Sequence, residues 1–173
     1  MRFAYADPPY YGCCKLYDHY HPDGRCWDAA ETHQDLIWRL CEDYPDGWAL
    51  SLSSTTLQTI LPMCSPDVRV AAWVKPFAAF KRNVRNAYTW EPVILRGGRA
   101  SSKEGAPVTR DHLAESITLR RGFTGAKPAR FNRWVLDMLG YIDDVDALDD
   151  LFPGTGGMSA TLAAAPFALG GAS

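Results

Sequence analysis

No run of eighteen apolar residues occurs in this chain, so the sequence offers no helical membrane span. Its first residues, Met1-Arg2-Phe3-Ala4-Tyr5-Ala6-Asp7, lack the apolar stretch of a secretory leader. Cysteine is sparse and odd in number, five between Cys13 and Cys64. A disulfide framework is therefore not expected, and a reducing cytoplasm is. There is no internal repeat and no internal linker. What is present is a globular mixture, 47% hydrophobic and 22% charged over 173 residues, a length that suits one domain.

Charge is unevenly spread. The formal net charge is −2, yet residues 69–133 hold fourteen Lys or Arg against four Asp or Glu. The flanks are correspondingly acidic. A basic middle of this kind points to a polyanion partner, with Lys75, Lys81, Arg82, Arg85, Arg96 and Arg99 as candidate backbone contacts.

Strand and helix patterns alternate along the chain. Residues 2–7, 48–53, 68–74, 88–95 and 147–152 read as strands. Residues 8–27 read as a long loop. Asp28 is expected to cap a helix with Glu31 as capping-box partner, followed by a stripe of Ala29, His33, Leu36, Ile37, Leu40 and Cys41. A short helix runs from about Ser54 to Pro62. Lys127-Pro128 opens another helix, with Pro at its first position, a buried stripe of Phe131, Trp134, Val135, Met138 and Leu139, and Gly140 as terminator. Met158 to Ala165 forms a last short helix. Residues 100–126 are polar and basic and are expected to be an exposed excursion. This pattern predicts an α/β open sheet, with one domain over 1–165, a basic insertion at about 77–126, and a flexible tail over 166–173.

Two segments carry chemistry. Asp7-Pro8-Pro9-Tyr10 ends a strand, where ligands of open α/β sheets bind. The paired prolines make a rigid turn that can aim a carboxylate and a bare carbonyl at one point. Two acceptors suit an NH₂ group, and Tyr10 offers a face for a base to stack on. The plainer alternative is a strand-ending turn in which Asp7 caps a backbone N–H. The second segment, Asp150-Leu-Phe152-Pro-Gly154-Thr155-Gly156-Gly157, runs from strand through turn to helix. Its glycines let a ligand approach the backbone closely.

Together these segments resemble the S-adenosylmethionine-dependent amino-methyltransferases of DNA adenine, in the permuted arrangement where Asp-Pro-Pro-Tyr precedes Phe-x-Gly-x-Gly. Lys127-Pro128 stands between them where such families place it. Trp73-Val74-Lys75-Pro76 followed by Trp90-Glu91 and Arg96-Gly97-Gly98-Arg99 is similar to a stretch of the related mRNA adenosine methyltransferases. The resemblance covers roughly residues 3 to 160 in the expected order. It implies a compact Rossmann-like methyltransferase fold with a mostly parallel open sheet. It implies methyl transfer from S-adenosylmethionine to the N6 amine of adenine in DNA, by direct displacement and without a metal, on a base flipped out of its stack. Asp7, Pro8, Pro9 and Tyr10 would be the catalytic turn. Phe152, Gly154, Thr155 and Gly156 would line the cofactor, Asp150 would sit below it, and Lys127 would reach its carboxylate.

No Asp or Glu follows Asp150, so the ribose-gripping acid of such families has no counterpart and the fold is expected to be truncated on that side. Asn132 and Asn83 are candidate substitutes, and either nucleic acid or a second copy of the chain covering the open sheet edge is expected to complete the pocket. The same acceptor pair suits any exocyclic amine, so N4-cytosine and RNA-adenosine transfer are alternatives, as is a non-catalytic nucleic-acid-binding module. The small size suits a bacteriophage protein.

Cys13, Cys14, His19, His21 and Cys26 cluster but lack a Cys-x₂-Cys pair, and the loop reads instead as a cover for the base, with Tyr10, Tyr11, Tyr17 and Tyr20 as stacking surface. His33 is expected to pack rather than react. Trp38, Trp48, Trp73 and Trp134 are expected in the core, and Trp90 beside Glu91 is a pocket candidate.

Overall fold

Phe3 and Tyr5 point to one side of the first strand and Ala4 and Ala6 to the other, and this alternation divides the core into two layers. The computed structural model describes residues 1–14, 24–77, 84–101, 108–117 and 126–164. The strands are β1 (Arg2–Ala6), β2 (Gly47–Ser51), β3 (Arg69–Val74), β4 (Trp90–Gly97), β5 (His112–Ala114) and β6 (Ala147–Asp150). They form one sheet in the order β5-β3-β4-β2-β1-β6. Pairing is parallel for β1 with β2 and β6 and for β3 with β5, and antiparallel where β4 meets β2 and β3. Only β4 is reversed, so the sheet is mostly parallel.

Helices cover both faces, as a parallel sheet requires. On one face α1 (Ala30–Asp43) and the short α2 (Leu57–Ile60), continued by a 3₁₀ turn at Leu61–Met63, lie over Ala4, Ala6, Trp48, Leu50 and Ile94. On the other, α3 (Ala129–Leu139) and α4 (Gly157–Ala163) lie over Phe3, Tyr5, Ala49, Trp73 and Val93. Phe131, Val135 and Leu136 of α3 are fully buried. Gly140 ends α3 at φ 66°, and the amide of Tyr141 donates back to the Leu136 carbonyl at 3.0 Å, the bonding of a Schellman turn.

Several expectations are corrected. Asp28 does not cap α1: the N-cap is Ala29, without a side-chain bond, and Asp28 Oδ1 instead accepts from the amides of Gly12 at 2.8 Å and Cys14 at 3.4 Å. The carboxylate thus ties down the loop after β1. Within that loop, Gly24–Asp28 forms a 3₁₀ turn. Residues 100–126 are not wholly an excursion, because His112–Ala114 adds β5 to the sheet edge and buries Leu113. Pro128 is the N-cap of α3, not its first residue. Trp38 is 63% exposed, because it lies off the stripe that His33, Leu36, Ile37 and Leu40 bury. Trp48, Trp73 and Trp134 are core, and His33 is buried with Nε2 2.9 Å from the Trp27 carbonyl oxygen. Residues 15–23, which carry Tyr17, His19, Tyr20 and His21, and the 165–173 tail lie outside the described residues.

The end of the sheet remote from Asp7 is built on backbone approach. Gly47 has φ 149°, and a Cβ there would stand 2.5 Å from the Gly98 nitrogen and 3.0 Å from the Arg96 oxygen. Both are backbone atoms and cannot swing aside. Gly47→Ala is expected to destabilise the protein by about 2–4 kcal/mol in urea unfolding, with an unchanged slope. A midpoint equal to that of the parent would refute this account.

Candidate active site

The parallel register of β1 and β6 builds the site. Phe3 pairs with Leu148 and Tyr5 with Asp150, and the Leu151 amide donates to the Tyr5 carbonyl at 2.9 Å. Asp7 and Phe152 therefore leave the sheet side by side, at the carboxyl ends of their strands. A cleft opens there, lined by Tyr5, Asp7, Lys127, Asn132, Asp150 and the turn Phe152–Thr155, with Gly157 and Met158 beyond.

Its floor is a charged cluster. The Lys127 ammonium donates to Asp7 Oδ1 at 3.0 Å, to the Tyr10 hydroxyl at 2.7 Å and to Glu91 Oε2 at 3.2 Å. The Tyr10 hydroxyl lies 3.1 Å from Asp7 Oδ1 and 2.9 Å from Glu91 Oε2. Lys75 closes the chain at 2.8 Å from Glu91 Oε1. Both lysine side chains are 9% exposed, so their charges need these partners.

The cluster separates its two carboxylates. Burial pushes the Asp7 carboxyl above its ordinary range against the pull of Lys127, and the Glu91 charge adds to the rise. Glu91 feels the same burial, but Lys127 and Lys75 together outweigh it and hold its pKa down to about 2. Burial likewise raises the Tyr5 and Tyr10 phenols, which stay protonated. Burial raises Asp150 as well, against a bond of 3.3 Å from the Phe152 amide.

The glycine turn is open toward the cleft. Gly154 and Gly156 have φ of 45° and 74°. A Cβ on Gly156 would meet nothing within 4 Å, and one on Gly154 only the Phe152 oxygen at 3.8 Å. The space beside this backbone is free for a ligand. Asn132 is buried, and its amide nitrogen donates to Thr161 Oγ1 at 3.2 Å, which joins α3 to α4.

Asp7, Tyr10, Lys127, Asp150, Phe152, Gly154 and Thr155 are thus brought together, with Pro8 and Pro9 in the turn and Gly156 at the N-cap of α4. The Lys127 ammonium is directed at Asp7, Tyr10 and Glu91. The Tyr10 hydroxyl, given no part in the sequence reading, is a junction of the cluster. Four of the basic candidates, Lys75, Arg85, Arg96 and Arg99, are among the described residues. Lys75 is buried against Glu91. Arg96 binds Asp67 at 2.9 Å and Arg99 binds Asp146 at 2.7 Å, both at the opposite end of the sheet, where β4 finishes and β2 begins. Arg85 is exposed. Lys81, Arg82 and Asn83 lie outside the described residues. Sequence reasoning gave Glu91 no role, although a signal existed: it alternates with Val93 on the face that buries Val93, opposite Trp73.

No protein-family model matches the chain, and no curated protein matches it in sequence. Among solved structures it is similar to one described as the crystal structure of the M1.HpyAVI–SAM complex, with a TM-score of 0.55 and 14% identity over 93% of this chain and 76% of that one. The two share a fold, a mixed α/β arrangement on a mostly parallel open sheet. Among the described residues, no helix is long and apolar enough to cross a membrane.

The low pKa of Glu91 has a consequence for acid stability. Its ordinary value is 4.5 and its folded value about 2, so the unfolded chain takes the proton first. The stabilisation is complete above about pH 4.5 and fades as the pH falls toward 2. Glu91→Gln should be less stable than the parent at pH 6, and the gap should shrink by about 3 kcal/mol by pH 2. Parallel stability curves over that range would show that Glu91 is not held by the lysines.

Proposed function

We propose that this protein transfers the methyl group of S-adenosylmethionine to the exocyclic N6 amine of adenine in DNA. The observation that carries this reading is the adjacency of the Asp7-Pro8-Pro9-Tyr10 turn and the Phe152-to-Gly156 turn across the β1–β6 pair. The fold likeness to a protein solved with SAM supports the choice of cofactor.

The cleft suits that group in two ways. The glycine turn leaves room beside its backbone. Among the residues that line the cleft, Asp7 and Asp150 outnumber Lys127 by one charge, which matches a ligand carrying a sulfonium, an ammonium and one carboxylate. Phe152, Gly154, Thr155 and Gly156 would hold the methionine and ribose portions, with Asp150 below. The cofactor would supply an electrophilic methyl on sulfur.

Asp7 and the Pro8 carbonyl would accept from the amine and turn its lone pair toward that methyl. The Tyr10 ring would stack on the base. With the cofactor bound, the methyl would pass from sulfur to the amine nitrogen and the amine would give up a proton, and Asp7, made more basic by burial, would be the group to receive it. Arg85, with Lys81 and Arg82, is the proposed contact to the phosphate backbone.

Two tests follow. Asp7→Ala should fold normally and lose all methyl transfer, measured as N6-methyladenine in digested mixed-sequence DNA. Tyr10→Phe, which keeps the ring but strips the hydroxyl of its bonds to Asp7, Glu91 and Lys127, should lower kcat/KM about tenfold. Tyr10→Ala should lower it further. Methylated cytosine, or product on RNA alone, would keep the class and change the acceptor. In calorimetry, Gly154→Val should remove S-adenosylmethionine binding, because Gly154 lines the cleft; the positive φ of 45° also strains the valine, so the folded fraction is measured alongside. Undiminished binding would place the cofactor elsewhere.

A further inference from the structure

Both hydrogen bonds to the Asp7 carboxylate within the cluster, from Lys127 and from the Tyr10 hydroxyl, converge on Oδ1. Among the described residues neither reaches Oδ2. The same two groups also contact one oxygen of Glu91, whose other oxygen binds Lys75, and the single proton of the Tyr10 hydroxyl serves either Asp7 Oδ1 or Glu91 Oε2 at a time. We infer that Glu91 is a positioning residue: it holds the Tyr10 hydroxyl and the Lys127 ammonium so that Lys127 grips one oxygen of Asp7 and the other is left for the incoming amine. This inference rests on the methyltransferase reading for the identity of that amine.

The topology explains why a residue on β4 is suited to this. Asp7 and Tyr10 belong to a turn after β1, and Lys127 to the segment entering α3. Neither segment is fixed by sheet bonding at those positions. Glu91 is fixed, because it sits inside the β3–β4 ladder opposite Trp73. Lys75 follows directly on β3, and its amide donates to the Thr89 carbonyl at 2.7 Å. Glu91 therefore transmits the rigidity of the ladder to a turn that lacks it. Its low affinity for protons keeps it a hydrogen-bond acceptor while Asp7 exchanges a proton. The other ionisable groups facing the pair are Tyr5, Tyr10, Lys75, Lys127 and Asp150.

The test uses Glu91→Gln, which keeps the shape, and Glu91→Ala, which removes both anchors. On a DNA substrate, Glu91→Ala should lower kcat by ten- to a hundredfold, with KM for DNA and the Kd for S-adenosylmethionine changed by less than threefold. Glu91→Gln should fall between parent and Ala. Both variants should melt below the parent, and a purely structural residue would lower the active fraction without this split between kcat and KM. The second readout needs no activity. In the free protein, ¹³C-labelled at aspartate, the Asp7 carboxyl should titrate at lower pH in Glu91→Gln, because a negative neighbour has gone. A parental kcat in Glu91→Ala, or an unmoved Asp7 titration in a folded Glu91→Gln, would overturn the inference. Absence of methyl transfer in the parent would overturn the function proposed for the site, and the Asp7 titration would still decide whether Glu91 acts on Asp7.

Discussion

The pairing of β1 with β6 is the constraint on which the site depends. It joins residues about 145 positions apart, and the N-terminal amine bonds to Asp146 at 2.7 Å at one end of the pair. At the other end the Leu151 amide continues the ladder. Closing so long a loop is entropically costly, and sheet bonding, burial of Phe3 and Tyr5, and the ion pairs of Met1 and Arg2 offset that cost together. A shift of one residue would turn Phe3 and Tyr5 onto the layer occupied by α1 and separate Asp7 from Phe152. The hydrophobic core and the site are thus set by the same register.

A second constraint is electrostatic. Four charged side chains and a phenol meet beneath the cleft, and each lysine is nearly enclosed. Such a cluster adds little net stability over an apolar equivalent, because desolvation opposes the Coulomb attraction. What it supplies is direction. The hydrogen bonds leave the two carboxylates unlike: Glu91 is fixed as an anion, and Asp7 is left with a raised affinity for protons. Opposed environments for neighbouring carboxylates are a mark of acid–base division of labour.

Much of the sheet could be read from the residues, because β1 and β2 are short apolar runs bounded by turn residues and buried on both faces, and the stripe of α3 repeats at helical spacing. The strand β5 could not, since it is three residues long with one buried side chain, too few for a period to register. The exposure of Trp38 was legible and conflicted with its apolar character: helical spacing alone sets it apart from Leu36, Ile37 and Leu40. The two turns of the site were legible as motifs. The direction of the Lys127 side chain was not. A four-carbon stem reaches in several directions from one backbone position, and only the folded neighbours Asp7, Tyr10 and Glu91 select among them. Asp28 presents the same problem on a smaller scale, because a carboxylate at a helix start can serve its own helix or a neighbouring loop.

The segregation of charge along the chain has a structural explanation. Arg96 and Arg99, in the basic middle, bind Asp67 and Asp146, and Arg133 binds Asp143. Lys127 binds Asp7, from the opposite end of the chain. In each case a cation of the middle meets an anion of the flanks, so the asymmetry in sequence is partly cancelled in space. Surface pairs of this kind contribute little stability individually, yet they cover charge that would otherwise be offered to a polyanion. Lys75, read by position alone, looks like a contact for phosphate, and in the fold it is buried in an ion pair with Glu91. The charge of a segment measures its potential for binding nucleic acid only after its internal partners have been subtracted.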